Sequence, residues 1–319
     1  METRLDTARI RAARAVIDPV FLDTPFYECE ALPFDSRVSI KLETANPVRS
    51  FKGRGTELVV DGLEGNAAVC ASAGNLGQAL AWSGRKRGLD ITVVASRFAT
   101  PAKLDRIRAL GATLELVDGD HELARDRAAE IARTTGIRLV EDSLDLETCE
   151  GAATIGLELL ASGVAFDTVL IALGGGAMAT GIGHVLKDLA PSVEVICVQP
   201  AGAPAMTLSW HERRVVTTES TNTIADGVAG RRPIPEVLTD LLHVADDAVL
   251  VEESSIISGV RLLATHASLV AEPSAALGLA ALLENPTRFA NRHVVTILCG
   301  SNTNPPDHHR WLQPEPMVV

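Results

Sequence analysis

Short runs of aliphatic and β-branched residues alternate with stretches whose apolar positions recur every three to four residues. Seven runs read as strands: AAVCA (67–71), DITVVAS (90–96), ATLELVD (112–118), IRLVED (137–142), DTVLIAL (167–173), VEVICVQP (193–200) and HVVTILCG (293–300). Most are nearly continuous in apolar residues, as strands covered on both faces are, and each ends in a turn signal. Between them, PAKLDRIRALG sets Leu104, Ile107 and Leu110 on one helical face, and HELARDRAAEIARTTG does the same with Leu123, Ala128 and Ile131 before a stop at Gly136. The opening METRLDTARIRAARAVIDPV reads as an amphipathic helix, and the proline-rich PPDHHRWLQPEPMVV as a loose end. Strands and helices in alternation predict an α/β fold, a mostly parallel sheet flanked by helices.

Composition narrows the function classes. A chain of 319 residues, 46% hydrophobic, holds enough apolar material for about two domains and excludes disorder. Asp and Glu (41) exceed Lys and Arg (29), and aromatics are 3%, so nucleic acid is not an expected partner and a small, uncharged or zwitterionic molecule is. No apolar run approaches the roughly 18 to 20 residues of a membrane span, and the start has no cleavage site, so the expectation is no membrane partner and a cytoplasmic location. The cysteines at 29, 70, 149, 197 and 299 form neither a disulfide framework nor a zinc pattern, and the eight histidines lack metal-ligand spacing.

Three turns carry candidate chemistry. After DTVLIAL come Gly174, Gly175 and Gly176, then a helix with apolar positions at Ile182 and Leu186. Residues without side chains let backbone N–H groups converge on a phosphate at the positive end of a helix; the plain alternative is a tight turn that binds nothing. Gly174, Gly176 and Ala179 also fit a relaxed dinucleotide pattern. That reading wants an acidic residue at the end of the next strand, where Gln199 stands. The second turn, VCASAGNLGQAL, offers Ser72, Gly74, Asn75 and backbone amides to a carboxylate, with Asn75 able to donate to a ring oxygen, or else merely caps the helix at 76–87. In the third, NPVRSFKGRGTELVV, Ser50 reads as an N-cap and Lys52 falls in the first helical turn near Arg49 and Arg54, an environment that disfavours the ammonium form; a solvated surface lysine is the alternative.

Together these segments resemble the fold type II pyridoxal-phosphate enzymes, the group of serine and threonine dehydratases and serine racemase, with cysteine and threonine synthases more distant. The resemblance rests on Ser50-Phe51-Lys52 with Arg54-Gly55, Ala71-Ser72-Ala73-Gly74-Asn75 with Gly77-Gln78, the glycines 174–176, Thr223 to Val228, Glu272-Pro273-Ser274 and Cys299-Gly300-Ser301-Asn302, and it covers nearly the whole chain. It implies a tryptophan synthase β-like fold with two open, twisted, mostly parallel sheets. A large domain of residues 1–66 and 145–319 would bind the cofactor, and a small mobile domain, 67–144, would close over substrate. The cofactor implied is pyridoxal 5'-phosphate: Lys52 joined to it as an imine, Phe51 and Asn75 against the ring and its hydroxyl, Gly174, Gly175, Gly176, Ala177 and Met178 on the phosphate, and Cys299 facing the pyridine nitrogen. A thiol there does not keep that nitrogen protonated, which suits β-elimination. Ser72, Ala73, Gly74, Asn75 and Ser143 would meet the substrate, and a homodimer is implied.

Within the group, racemases carry a serine directly before the Gly-Asn of the second turn; Ala73 stands there, so a dehydratase is preferred. The cation-binding members have two carboxylates where this chain has Gln199 and Ala205, so no metal is expected. Ser143, between Asp142 and Asp145, gives a polar floor near the β-carbon, and Leu76 replaces a histidine of several relatives. Glu272 begins a helix, as a cap or as a catalytic group. The length leaves no room for a regulatory domain, so feedback by isoleucine is not expected. The expected reaction is dehydration and deamination of an L-β-hydroxy amino acid such as L-threonine or L-serine to a 2-keto acid and ammonia, with the cofactor phosphate protonating the leaving hydroxyl. The alternatives are a serine or hydroxyaspartate racemase, a β-replacement synthase, and a cofactor-binding protein without turnover.

Overall fold

Strands β1 (Phe26–Glu28), β2 (Arg37–Leu42), β3 (Ala67–Ala71), β4 (Asp90–Ser96), β5 (Thr113–Val117), β6 (Arg138–Val140), β7 (Thr168–Ala172), β8 (Glu194–Pro200), β9 (Asp247–Val251) and β10 (His293–Leu298) form two sheets in the computed structural model, which describes residues 3–313. One has the order β1-β2-β10-β7-β8-β9, parallel except for β1, and the other β5-β4-β3-β6, all parallel. All seven expected runs are strands. Both faces are covered: in β3, Ala68 and Cys70 pack with Val59, Val60, Leu80 and Ile107 on one side while Val69 joins Ala124 and Ala128 on the other. That two-sided burial is why these strands read as continuous apolar runs.

The sequence pattern does not reveal β1, β2 and β9. In β2 (RVSIKL) polar side chains face inward with partners: Ser39 Oγ lies 2.8 Å from His293 Nε2, and Lys41, 1% exposed, reaches Glu158 at 2.6 Å. Other local expectations also shift. In the helix His121–Thr135, Ala128 is buried as expected, but Leu123 is 45% exposed and Ala124 takes the buried apolar position beside it. The opening helix is short, Thr7–Ala13. The segment read as a loose end instead forms a helix, Pro305–Leu312, held by Arg261, which donates to the carbonyls of Trp311 and Gln313. Two prolines in its first turn cost nothing, since N–H groups there have no helical acceptor. Residues 314–319 of that segment lie outside the described region.

The helix Lys52–Asp61 ties both sheets to the site. It lies against the helix Leu146–Ala161 so closely that a Cβ on Gly151 would come 2.4 Å from Gly55 Cα. Beside that contact Arg54, fully buried, bonds Glu43 through Nε (2.8 Å) and Nη2 (2.9 Å), and Glu158 through Nη1 (2.7 Å) and Nη2 (3.0 Å). Thr24 and Thr154 complete this buried ionic cluster. Its charges are paired and hydrogen-bonded, the condition under which buried charges are tolerated.

Candidate active site

The segments following β2, β3, β6, β7 and β10 converge on one cavity of about 570 Å³. It lies at the carboxyl ends of these parallel strands, the usual ligand position in an open α/β sheet. Phe51, Lys52, Ser72, Ala73, Gly74, Asn75, Ser143, Gly174, Gly175, Gly176, Ala177, Met178 and Cys299 all line it.

Lys52 is the first residue of its helix, fixed by a short antiparallel contact between the chain before it and the chain after β10. Ser50 bridges Gly300, Phe51 N–H donates to Cys299 O (3.1 Å), and Ser301 N–H donates to Arg49 O (3.0 Å). Ser50 is therefore not the N-cap: Phe51 holds that position without a side-chain cap bond, and the Ser50 hydroxyl is buried without a partner. The cationic surroundings expected for Lys52 are also absent. Arg54 is committed to the buried cluster and Arg49 is exposed. Instead Lys52 Nζ lies 2.7 Å and 2.6 Å from the two oxygens of Asp142, and 4.6 Å from the centre of the Phe51 ring.

The glycine loop forms a cradle that side chains would fill. A Cβ on Gly175 would stand 2.6 Å from Ser143 Oγ, and one on Gly176 would meet Val237 Cγ1 at 2.6 Å, with Gly176 at φ +113°. The helix Ala177–Leu189 begins there without a side-chain cap. Ser143 is fully buried with φ +69°, and its Oγ accepts the Ala177 N–H at 3.1 Å. It braces the glycine loop, so the side chain of this turn aimed at Lys52 is that of Asp142.

In the second turn, Ser72 Oγ accepts the Gly74 N–H (3.1 Å), and the helix Asn75–Arg87 starts with no side-chain cap, so these residues do not act as the caps considered from spacing. Asn75 Nδ2 donates to Glu272 Oε1 at 2.6 Å, and its Oδ1 accepts from Asn302 at 2.8 Å. Burial pushes the Glu272 carboxyl above its ordinary range, partly offset by Lys103 and by bonds from Asn75 and Ser274. Gly300 leaves room for it, since a Cβ there would fall 1.9 Å from Glu272 Oε1 and displace that carboxylate. Burial, then the nearby Glu272, drive the Cys299 thiol far above its usual pKa and keep it neutral.

Two groups of residues at the cavity escaped the sequence reading. Asp142 was visible only as a neighbour of Ser143, because its partner lies 90 positions away. Ion pairs also cross the cleft, Lys103 with Asp226 and Arg231 with Asp120, and no local pattern announces them. His121, read as a surface or core residue, also lines the cavity. Gln199 accepts the Thr207 N–H at 2.9 Å, and Ala205 opens the next helix. Among the described residues no group of His, Cys, Asp or Glu has the geometry of a metal site, and no helix is long and apolar enough to cross a membrane.

The donor set suits pyridoxal phosphate: an amine at Lys52, a cradle of glycines at an uncapped helix start, an aromatic ring at Phe51, an oriented amide at Asn75 and a neutral thiol at Cys299. Known proteins agree. The chain is 30% identical over 305 residues to a catabolic L-threonine dehydratase of Staphylococcus aureus, covering 92% of this chain and 88% of that protein. It is also 30% identical over 269 residues to an L-threonine ammonia-lyase of Thermotoga maritima, covering 83% and 67%. Among solved structures, a T.th. threonine deaminase matches with a TM-score of 0.89 and 29% identity over 94% of this chain and 99% of that one. A serine racemase of maize matches at 0.89 and 25% identity, over 96% of each. The family model described as pyridoxal-phosphate dependent enzyme spans residues 17–300, and the chain belongs to that family.

Proposed function

We propose that this enzyme removes water from an L-amino acid bearing a β-hydroxyl, such as L-threonine or L-serine, and releases a 2-keto acid and ammonia. The observation that carries the reading is the asymmetry of the cavity: it is lined by the amine of Lys52, while Ala73 offers no proton donor where racemases of this group carry a serine. One base without that second acid–base group supports elimination over inversion at Cα.

When bound, pyridoxal phosphate supplies the electron sink that acidifies the Cα–H bond. In this reading Lys52 holds the cofactor and then, as a free amine, takes the α-proton. The loop of Gly174 to Met178 would hold the phosphate through its free backbone N–H groups, with Ser143 bracing it by accepting the Ala177 N–H. Phe51 would lie against the ring, Asn75, which Glu272 and Asn302 hold in place, would face the ring oxygen, and Cys299 would face the pyridine nitrogen. Ser72, Ala73, Gly74 and Asn75 receive the substrate carboxylate at the uncapped helix start. Residues 67–144 act as a small domain against a large one of 1–66 and 145–319, and the pairs Lys103–Asp226 and Arg231–Asp120 latch the two around substrate to exclude water. The enzyme works in the cytoplasm as a homodimer, a mass that light scattering measures.

The test is keto acid release from L-threonine, L-serine and 3-hydroxyaspartate, with Lys52→Ala as control. Lys52→Ala is expected to lose turnover by at least ~10²-fold, the lower range for a positioned acid–base group, and to lose the cofactor's visible band. A D-isomer, or a new β-substituted amino acid, as the main product refutes the reading.

A further inference from the structure

The contact between Lys52 and Asp142 is unexplained by the roles above. Among the described residues, Asp142 spends both carboxylate oxygens on Lys52 Nζ, at 2.7 Å and 2.6 Å. Its acidic neighbours in the cavity are engaged elsewhere: Asp120 with Arg231, Asp226 with Lys103, Glu122 with Arg125 and Glu272 with Asn75. The turn that carries it is pinned on both sides. Glu141 N–H donates to Asp145 (3.0 Å), Ser143 N–H donates to Thr148 Oγ1 (3.0 Å), and Arg4 grips the carbonyls of Ser143 (3.3 Å) and Leu144 (2.9 Å). Arg4 is itself held by Asp240 at 2.7 Å. With the backbone on both sides held, Asp142 is set beside Lys52, and its side chain, a third exposed, opens onto the space a substrate must use.

We propose that Asp142 is a catalytic residue, the relay that carries the α-proton from Lys52 to the departing hydroxyl. The inference rests on the elimination reading. With substrate in the cavity, the free Lys52 amine takes the α-proton and becomes an ammonium. The ammonium passes one proton to Asp142 across the observed contact, and Asp142, now a carboxylic acid, donates it to the β-oxygen. The Cβ–O bond breaks with its electron pair on oxygen, the Cα–H pair becomes the Cα=Cβ bond, and water leaves. Lys52 is again an amine and Asp142 a carboxylate, so no outside acid or oxidant is needed. The leaving group is thus protonated by the protein, where the family resemblance implied the cofactor phosphate.

The experiment compares Asp142→Asn and Asp142→Ala with the wild-type holoenzyme on L-threonine and on β-chloro-L-alanine, whose chloride departs without a proton. The relay requires kcat for L-threonine to fall by ~10²-fold or more in both variants while kcat for β-chloro-L-alanine stays within about threefold of wild type. Exchange of the L-threonine α-hydrogen in D2O, followed by NMR, is expected to continue in the variants, because Lys52 still takes the proton. Asp142→Glu, which keeps the carboxyl, is expected to recover part of the L-threonine rate. An equal loss on both substrates, a loss of exchange along with elimination, or an unchanged rate on L-threonine overturns the relay. Failure of the wild type to form keto acid from either L-threonine or L-serine overturns the elimination reading and the relay with it; failure of the relay alone leaves wild-type turnover intact.

Discussion

Replacing Glu158 by glutamine tests whether the buried ionic cluster holds the helix that presents Lys52. The Glu158 carboxylate accepts Arg54 at 2.7 Å and 3.0 Å, Lys41 at 2.6 Å and the backbone N–H of Asp23 at 2.9 Å. Burial alone would raise its pKa; Arg54 and Lys41 outweigh that and hold it at about 2, against 4.5 for a free glutamate. A group whose folded pKa is depressed stabilises the fold above its unfolded pKa, and this contribution is lost as the pH falls toward the folded value. At 1.36 kcal/mol per unit, the charge of Glu158 is worth about 3 kcal/mol at pH 7 and about 1 kcal/mol at pH 3. Glu158→Gln keeps the shape and removes the charge, as protonation does. Urea unfolding at matched cofactor loading should therefore show the variant less stable by about 3 kcal/mol at pH 7, with the gap at least halving by pH 3. A gap under about 1 kcal/mol at pH 7, or one that does not shrink on acidification, would refute the assignment of that stability to this carboxylate.

Two further changes probe the site. Gly176→Ala puts a side chain at φ +113° and 2.6 Å from Val237 Cγ1, so a loss of about 1–3 kcal/mol in stability and weaker pyridoxal phosphate binding by absorbance titration are expected; cofactor affinity equal to wild type counts against the cradle. Ala73→Ser supplies the missing hydroxyl, and chiral chromatography is expected to detect D-serine formed from L-serine only in the variant; its absence would show that a donor at this position is insufficient for inversion.

The two-sided burial of the central strands is written in single short segments, which is why their positions could be read from the chain; Gly74 and Asn75 follow the end of β3 and Gly174 to Gly176 the end of β7, which is why this part of the cavity lining could be named from motifs. What escaped depends on partners far apart in sequence. Lys41 within β2 looks like a surface position until Glu158, 117 residues away, neutralises it. Asp142 gains meaning only when Lys52 is brought to it, and the cap expected of Ser50 was displaced because residues 49–51 pair with 299–301. Leu123 shows a different limit: its neighbour Ala124 lets the helix approach β3 and β4 more closely than a leucine would, and a hydrophobic stripe alone does not rank the two.

The order of the six-stranded sheet has a consequence for biosynthesis. β10 lies between β2 and β7 yet is the last of the described strands to be made, so the middle of the main sheet stays open until residue 298 has left the ribosome. Until then the nascent chain carries two unpaired strand edges, exposed to mispairing throughout translation. The same late arrival delivers Cys299 and Gly300 to the lysine turn, so a truncated product should be unable to complete the vitamin-binding pocket.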